Sequence, residues 1–237
     1  MDFKKREIYS KMTLPVGKPF FVRLDGRAFH NFSEKIRMKR PFDERFAKAM
    51  AKTAETFFQE FNPCLAYVFS DEINLLFLQA SSFRRVEKID SVFAGIASAK
   101  LSSELKCTAS FDCRCIPIEK KEIIKYLVWR QAEAIRNCDN AYAQHLLQTK
   151  EKMSAKAAAD KLRGIKTKKL VALRKKYMKN IPAWHERGIL LYKQKCKKAG
   201  FDPIKRKKVL AERYKVLEDW KPPVFSKNKK FFERQIR

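Results

Sequence analysis

The run Phe20-Phe21-Val22-Arg23-Leu24-Asp25-Gly26-Arg27-Ala28-Phe29-His30 decides how the rest of the chain is read. Its apolar half lies between Pro19 and Gly26 and is too short for a helix, so the pattern predicts a strand over 20–24 with Asp25 at its end. A second stretch answers it. Leu65-Ala66-Tyr67-Val68-Phe69-Ser70 and Ile73-Asn74-Leu75-Leu76-Phe77-Leu78 read as two strands separated only by Asp71-Glu72, which is a hairpin. Two-residue turns favour Asn-Gly, Asp-Gly or Gly-X because they need positive φ. A glutamate in that place breaks the rule, and broken local rules mark functional sites.

If the hairpin packs beside the first strand, Asp25 and Asp71 meet at one edge. Two carboxylates pressed together in a partly dry place repel unless a cation bridges them. Oxygen donors with no histidine or cysteine beside them select a hard ion, which makes magnesium the expected metal, leaning on water and phosphate for the rest of its shell. The backbone amides from Gly26 to His30 follow at once, and turn-forming amides make anion-binding nests. Arg27 and His30 add charge or donors. Alone, Asp-Gly after a strand is an ordinary turn and Asp-Glu in a hairpin an ordinary solvated tip; the two together read as a metal site.

The 237 residues, 45% of them hydrophobic, suffice for one good core and a second, smaller lobe. A formal charge of +28 calls for a polyanionic partner, and nucleic acid fits better than a membrane because no amphipathic or lipidation signal accompanies the charge. The charge is uneven. Residues 1–150 carry 26 Lys and Arg against 18 Asp and Glu, whereas 151–237 carry 28 against 8. Lys193-Gln194-Lys195-Cys196-Lys197-Lys198 and Lys205-Arg206-Lys207-Lys208 read either as a solvated basic face or as phosphate contacts, and their shared place on the biased segment favours phosphate.

Cys64, Cys107, Cys113, Cys115, Cys138 and Cys196 lack paired zinc spacing and read as reduced core thiols. No apolar leader opens the chain and no stretch approaches a membrane span, so a cytoplasmic protein is expected.

Asp43 is a plausible N-cap for a helix whose Phe46, Met50, Thr53, Ala54, Phe57 and Phe58 recur at helical spacing until Asn62-Pro63. A second helix is expected over 83–104, with Val86, Ile89, Phe93, Ile96 and Ala97 inward, and a fourth strand over 107–116. Strand, helix, strand, strand, helix, strand is the split βαβ order of an α+β, ferredoxin-like fold. Beyond Pro117 a long helix is expected over 119–148, then Lys-rich helices over 154–164 and 167–177. Past Pro182 the chain reads as less regular, with Trp220 to Phe225 extended. Trp129, Tyr142 and His145 read as packing groups.

Val22-Arg23-Leu24-Asp25-Gly26-Arg27-Ala28-Phe29-His30-Asn31-Phe32-Ser33, Arg40-Pro41-Phe42-Asp43 and Phe69-Ser70-Asp71-Glu72 closely resemble the tRNA-histidine guanylyltransferase family and its archaeal and bacterial guanylyltransferase-like relatives. The likeness continues through Phe83-Arg84-Arg85-Val86-Glu87-Lys88, Ser110-Phe111-Asp112, Tyr126-Leu127-Val128-Trp129-Arg130-Gln131 and, more loosely, Pro182 to Gly188. The resemblance implies a polymerase-palm sheet over 1–150, with a basic, mostly helical, tRNA-binding region over 151–237. It also implies two Mg2+ ions, ATP and GTP as substrates, tRNA as partner and a homotetramer. The implied chemistry is 3′-to-5′ nucleotide addition to the 5′ end of tRNA, after activation of the 5′ phosphate.

By that likeness Asp25, the Gly26 carbonyl and Asp71 hold the ions and Glu72 supports their shell. Asp25, Gly26, Arg27, Ala28, Phe29 and His30, with Ser70 and Asp71, resemble the nucleotide site. Arg40 stands where many relatives have lysine, and Arg85 and Lys88 are candidates for a second triphosphate or the tRNA 5′ end. Arg136, Lys197, Lys198, Arg206, Lys207 and Lys208 are the candidate tRNA contacts. Ile135-Arg136-Asn137-Cys138 replaces the His-Ile-Asn-Asn signature of eukaryotic members, which favours templated end repair over strict tRNA-histidine specificity. Cys113 replaces a glycine in Phe111-Asp112-Cys113-Arg114. The rival readings are a nucleotide cyclase or ordinary palm polymerase, and a non-catalytic RNA-binding protein.

Overall fold

The computed structural model describes residues 3–80, 83–165, 169–172, 174, 180–202 and 207–236. Strand β1 (Phe20–Gly26) lies at its centre because both faces of its side-chain alternation are apolar. Phe20, Val22 and Leu24 enter one core and Phe21 enters another, as expected for a strand covered on both sides.

Around it β2 (Leu65–Phe69), β3 (Glu72–Phe77) and β4 (Phe111–Pro117) pair antiparallel in the order β4-β1-β3-β2. This is the expected ferredoxin-like layout, with the first and third strands adjacent. Helices α2 (Glu44–Glu60) and α3 (Val86–Leu105) cover one face through Phe46, Met50, Phe57, Ile89 and Phe93. The Asp43 side chain caps α2, accepting from the amides of Arg45 at 2.9 Å and Phe46 at 3.2 Å. The helix stops before Asn62, which takes a left-handed φ of 56°.

Helix α3 begins three residues later than its apolar pattern predicts. Leu14 donates to the Arg84 carbonyl and Val86 to that of Met12, and Thr13 bridges Arg85, so the chain before the helix is held extended.

The other face is covered by α4 (Ile123–Lys150). Ile123, Tyr126 and Leu127 pack there with Phe225 and Phe232, and Phe232 belongs to the terminal helix α7 (Lys229–Gln235). The segment expected to trail after Trp220 therefore folds back into the core beside Phe21. The region expected to be mostly helical is helical at its two ends and strand between them. Short helices α5 (Ala155–Leu162) and α6 (Ala183–Arg187) are followed by a long hairpin, β5 (Ile189–Asp202) and β6 (Lys207–Asp219), where the sequence had suggested irregular chain. Of the helix expected over 167–177, residues 169–172 and 174 are helical and the others lie outside the described residues.

Ile189 to Tyr192 join the sheet against β2, and from Lys193 onward β5 pairs only with β6. Ten residues at a strand's rise carry the hairpin about 33 Å past the sheet. Position 150 is accordingly no structural break, since strand β5 and the core residues Leu190, Phe225 and Phe232 all come from beyond it.

Candidate active site

In register, Asp25 lies opposite Glu72 on β3 and Asp112 on β4, and directly opposed residues share a face. The hairpin turn falls one residue earlier than the sequence suggests. Phe69 pairs with Glu72, so the turn is Ser70-Asp71, with the positive φ of 48° on Ser70, and Glu72 is already a strand residue.

Asp71 closes over Gly26. The Gly26 amide donates to the Asp71 carbonyl at 3.1 Å. A Cβ on Gly26 would stand 2.8 Å from Asp71 Oδ2 and 2.9 Å from its Cβ, so only glycine admits the approach. Ser70 Oγ donates to Asp71 Oδ1 at 2.9 Å. Burial, reinforced by the charge of Asp25, nevertheless pushes the Asp71 carboxyl up to about 6. Asp25 is raised as well, by burial first and then by Asp112, against the opposing pull of Arg114, Arg23 and Arg130.

Two carboxylates that resist ionisation, beside the backbone of Gly26, form an oxygen donor set that a divalent cation relieves. No group of three or more His, Cys, Asp or Glu arranged for a metal occurs among the described residues. Carboxylate oxygens alone suit a hard ion such as magnesium, which keeps waters and takes phosphate oxygens.

Glu72, expected to support the metal shell, stands behind Asp25 in a network of its own. Arg130 donates to Oε1 through Nε at 2.9 Å and to Oε2 through Nη2 at 2.6 Å. Asn74 Nδ2 donates to Oε1 at 2.7 Å, and Tyr126 OH donates to Asn74 Oδ1 at 2.7 Å. With both oxygens engaged, Glu72 anchors α4 behind Asp25.

The amide nest is also smaller than expected. The Gly26 amide is taken by Asp71, and Arg27 donates its own to the Ser110 carbonyl at 2.8 Å. Ala28 then takes a left-handed φ of 53° and opens helix α1 (Phe29–Lys35), whose first-turn amides have no partner within the helix. The Arg27 and His30 side chains and Ser70 are exposed beside them.

Next to this end lies a cavity of about 140 Å³ walled by Phe29, Arg40, Phe42, Ser70, Trp184 and His185. Phe42 stacks on His185 with ring centroids 4.3 Å apart. Burial holds that imidazole down to about 4, hence neutral, and its Nδ1 lies 2.7 Å from Tyr142 OH. Arg40 Nη2 donates to Ser33 Oγ at 3.3 Å. In the sequence Tyr142 read as packing and His185 went unremarked, the loose match over Pro182 to Gly188 being the only signal.

Other candidates stand apart. Arg85 and Lys88 begin α3 at the opposite end of the sheet, where Phe20 pairs with Phe77. Arg136 is exposed on α4 and paired with Glu133. Lys197, Lys207 and Lys208 are exposed on the overhanging hairpin and Lys198 lies in β5, while Arg206 falls outside the described residues. Cys113 points away from the site with Cys115, whose Sγ donates to Asp90 Oδ1 at 3.3 Å. Burial and the charge of Asp90 push both thiols up. Cys196 is exposed and is no core thiol.

The sequence profile of the tRNAHis guanylyltransferase family matches residues 2–119. A probable tRNA(His) guanylyltransferase of Dictyostelium discoideum is 29% identical over 211 residues, covering 80% of this chain and 82% of its own. A solved bacterial tRNA(His) guanylyltransferase-like protein in complex with ATP superposes with a TM-score of 0.75 at 26% identity, over 99% of this chain and 97% of its own. The complex with GTP gives 0.72 at the same identity, over 99% and 96%. The sheet and these likenesses define a nucleotidyltransferase built on a polymerase-type palm. Within that class the chain belongs to the tRNAHis guanylyltransferase family.

Proposed function

We propose that this enzyme adds nucleotides to the 5′ end of tRNA in the 3′-to-5′ direction, repairing shortened ends against a template and adding G to tRNA-His. One observation carries the reading: Asp25 and Asp71 converge at Gly26 and burial makes both carboxyls harder to ionise, the state that a divalent cation beneath a triphosphate relieves.

In the first displacement an oxygen of the RNA 5′-monophosphate attacks the α-phosphorus of ATP, pyrophosphate leaves, and the end becomes adenylylated. In the second the 3′-hydroxyl of the incoming GTP attacks the activated 5′-phosphorus and AMP leaves. Asp25, Asp71 and the Gly26 carbonyl would hold two Mg2+ ions, which when bound steady the entering and leaving oxygens of such in-line attacks. Arg27, His30, Ser70 and the first turn of α1 receive phosphates, and the aromatic cavity beside Arg40 receives a purine. His185, neutral there, offers a hydrogen bond without adding charge.

The net charge of +28 supports a nucleic-acid substrate, and Asn137-Cys138 in place of the eukaryotic signature supports repair over histidine specificity alone. A homotetramer is part of the proposal, as is a cytoplasmic setting, which suits six free thiols. No described helix is long and apolar enough to cross a membrane.

Incubating the protein with 5′-shortened tRNA, ATP, GTP and Mg2+ tests the reading. RNA lengthened at its 5′ end is expected, and a cyclic nucleotide or 3′ extension overturns it. Asp25→Ala and Asp71→Ala are expected to abolish addition while tRNA affinity stays. A chain that only bound RNA would lose nothing.

A further inference from the structure

The face of the sheet that carries Asp25 is only half covered by α4. Tyr126, Leu127 and Arg130 close it over β2 and β3. Over β1 and β4 it stays open, with Arg23 half-buried and Asp112 and Arg114 exposed. At the margin stands Trp129, 53% exposed, where the sequence suggests a packing group.

The ring nonetheless has neighbours on the protein side. The Arg130 guanidinium lies 4.4 Å from its centroid and that of Arg23 6.0 Å, and Tyr126 meets it edge-on at 5.6 Å. Arg130 is in turn locked to Glu72, the cross-strand partner of Asp25. Arg23 precedes Asp25 by one pleat repeat, about 6.6 Å along the same face. Arg114, held by Asp112 at 2.7 Å, lies opposite Arg23 in register. An exposed indole flanked by arginines beside a phosphate-transfer site has the composition of a single-stranded nucleic-acid platform, in which bases stack on rings and cations follow the backbone.

We propose that Trp129 stacks the base of the RNA's 5′-terminal nucleotide, and that Arg23 and Arg114 receive the adjoining phosphates. The inference rests on the 5′-end reading above and assigns it a binding residue. The RNA end is the occupant favoured because the small aromatic cavity on the β2 side of Asp71 has room for little more than a base. The Trp129 face, on the β1 and β4 side of Asp25, is open, and a polymer must continue outward from it.

The test uses a 5′-shortened tRNA whose terminal nucleotide is 2-aminopurine. Its fluorescence is expected to be quenched on binding the unaltered protein and Trp129→Phe, and to be spared by Trp129→Leu. Trp129→Leu should also raise the KM for RNA about 5- to 100-fold, the range of one base stack, with the KM for ATP unchanged. Undiminished quenching by Trp129→Leu, or a KM change confined to GTP, overturns the proposal. A 5-iodouridine at the same position, irradiated with the unaltered protein, is expected to crosslink to Trp129, and a crosslink elsewhere only also overturns it. Extension is scored in parallel: extension without quenching sinks the platform alone, whereas no extension by the unaltered protein sinks the functional reading.

Discussion

Asp71 pays in stability for its place beside Gly26. Its carboxyl is raised from 3.8 to about 6, so the folded state holds the proton more tightly than the unfolded one. That contribution is fully present below about pH 4 and is lost as pH rises through 6. Metal-free protein should therefore lose Tm between pH 4 and 6, and Asp71→Asn should weaken this dependence, leaving the smaller part due to Asp25. At pH 7.5 Asp71→Asn should be more stable by on the order of 1–3 kcal/mol, inactive, and insensitive to Mg2+ in a thermal melt that Mg2+ shifts upward for the parent. Gly26→Ala places a methyl 2.8 Å from Asp71 Oδ2 and forces the carboxylates apart. Since a displacement near 1 Å costs roughly 100-fold in rate, steady-state addition should fall by about that factor or more, with tRNA affinity retained. The two aspartates and the glycine were legible because a charged pair interrupting apolar runs is visible locally. The task of Glu72 was not, since a turn placed one residue late moved it out of the strand and its partner Arg130 is 58 residues away.

At the scale of elements, the Arg130–Glu72 pair clamps α4 to β3 with both side chains at least nine-tenths buried. Removing one member leaves an uncompensated charge at a cost of roughly 3–5 kcal/mol, whereas an apolar pair of similar volume can be neutral or stabilising. Arg130→Met should lower urea-unfolding stability by about that amount, and adding Glu72→Leu should restore most of it while addition stays impaired. A double variant no more stable than Arg130→Met would refute the clamp. Strands β1 to β4 were readable from apolar runs packed on both faces, and α2 from the Asp43 cap and Asn62-Pro63 stop. The hairpin of β5 and β6 was not, because Gln194 to Lys197 and Glu212 to Lys215 are exposed and mostly charged, so neither alternation nor an apolar run marks it. Helix α1 escaped for a similar reason: with seven residues, of which only Phe32 and Ser33 are buried, it has too few turns to show a period.

Taken whole, the molecule divides its labour along the sheet. The carboxylate end carries the chemistry, while residues 151–237 hold 28 of the 54 basic side chains, many of them on strands that overhang the core. Lys197, Lys207 and Lys208 are exposed there, so substitution leaves the palm intact and alters only the field seen by a polyanion. Phosphate contacts release counterions, and each one lost lowers the slope of log affinity against log salt by about one. Changing Lys197, Lys207 and Lys208 together to Gln should weaken tRNA binding for all tRNAs alike and flatten that slope by about three. The kcat at saturating tRNA should be unchanged, because no atom of these side chains lies near Asp25. Filter binding across a salt series, run beside single-turnover addition, separates the outcomes. A lowered kcat would tie the hairpin to the reaction itself, and an unchanged slope would free its lysines from any part in holding RNA.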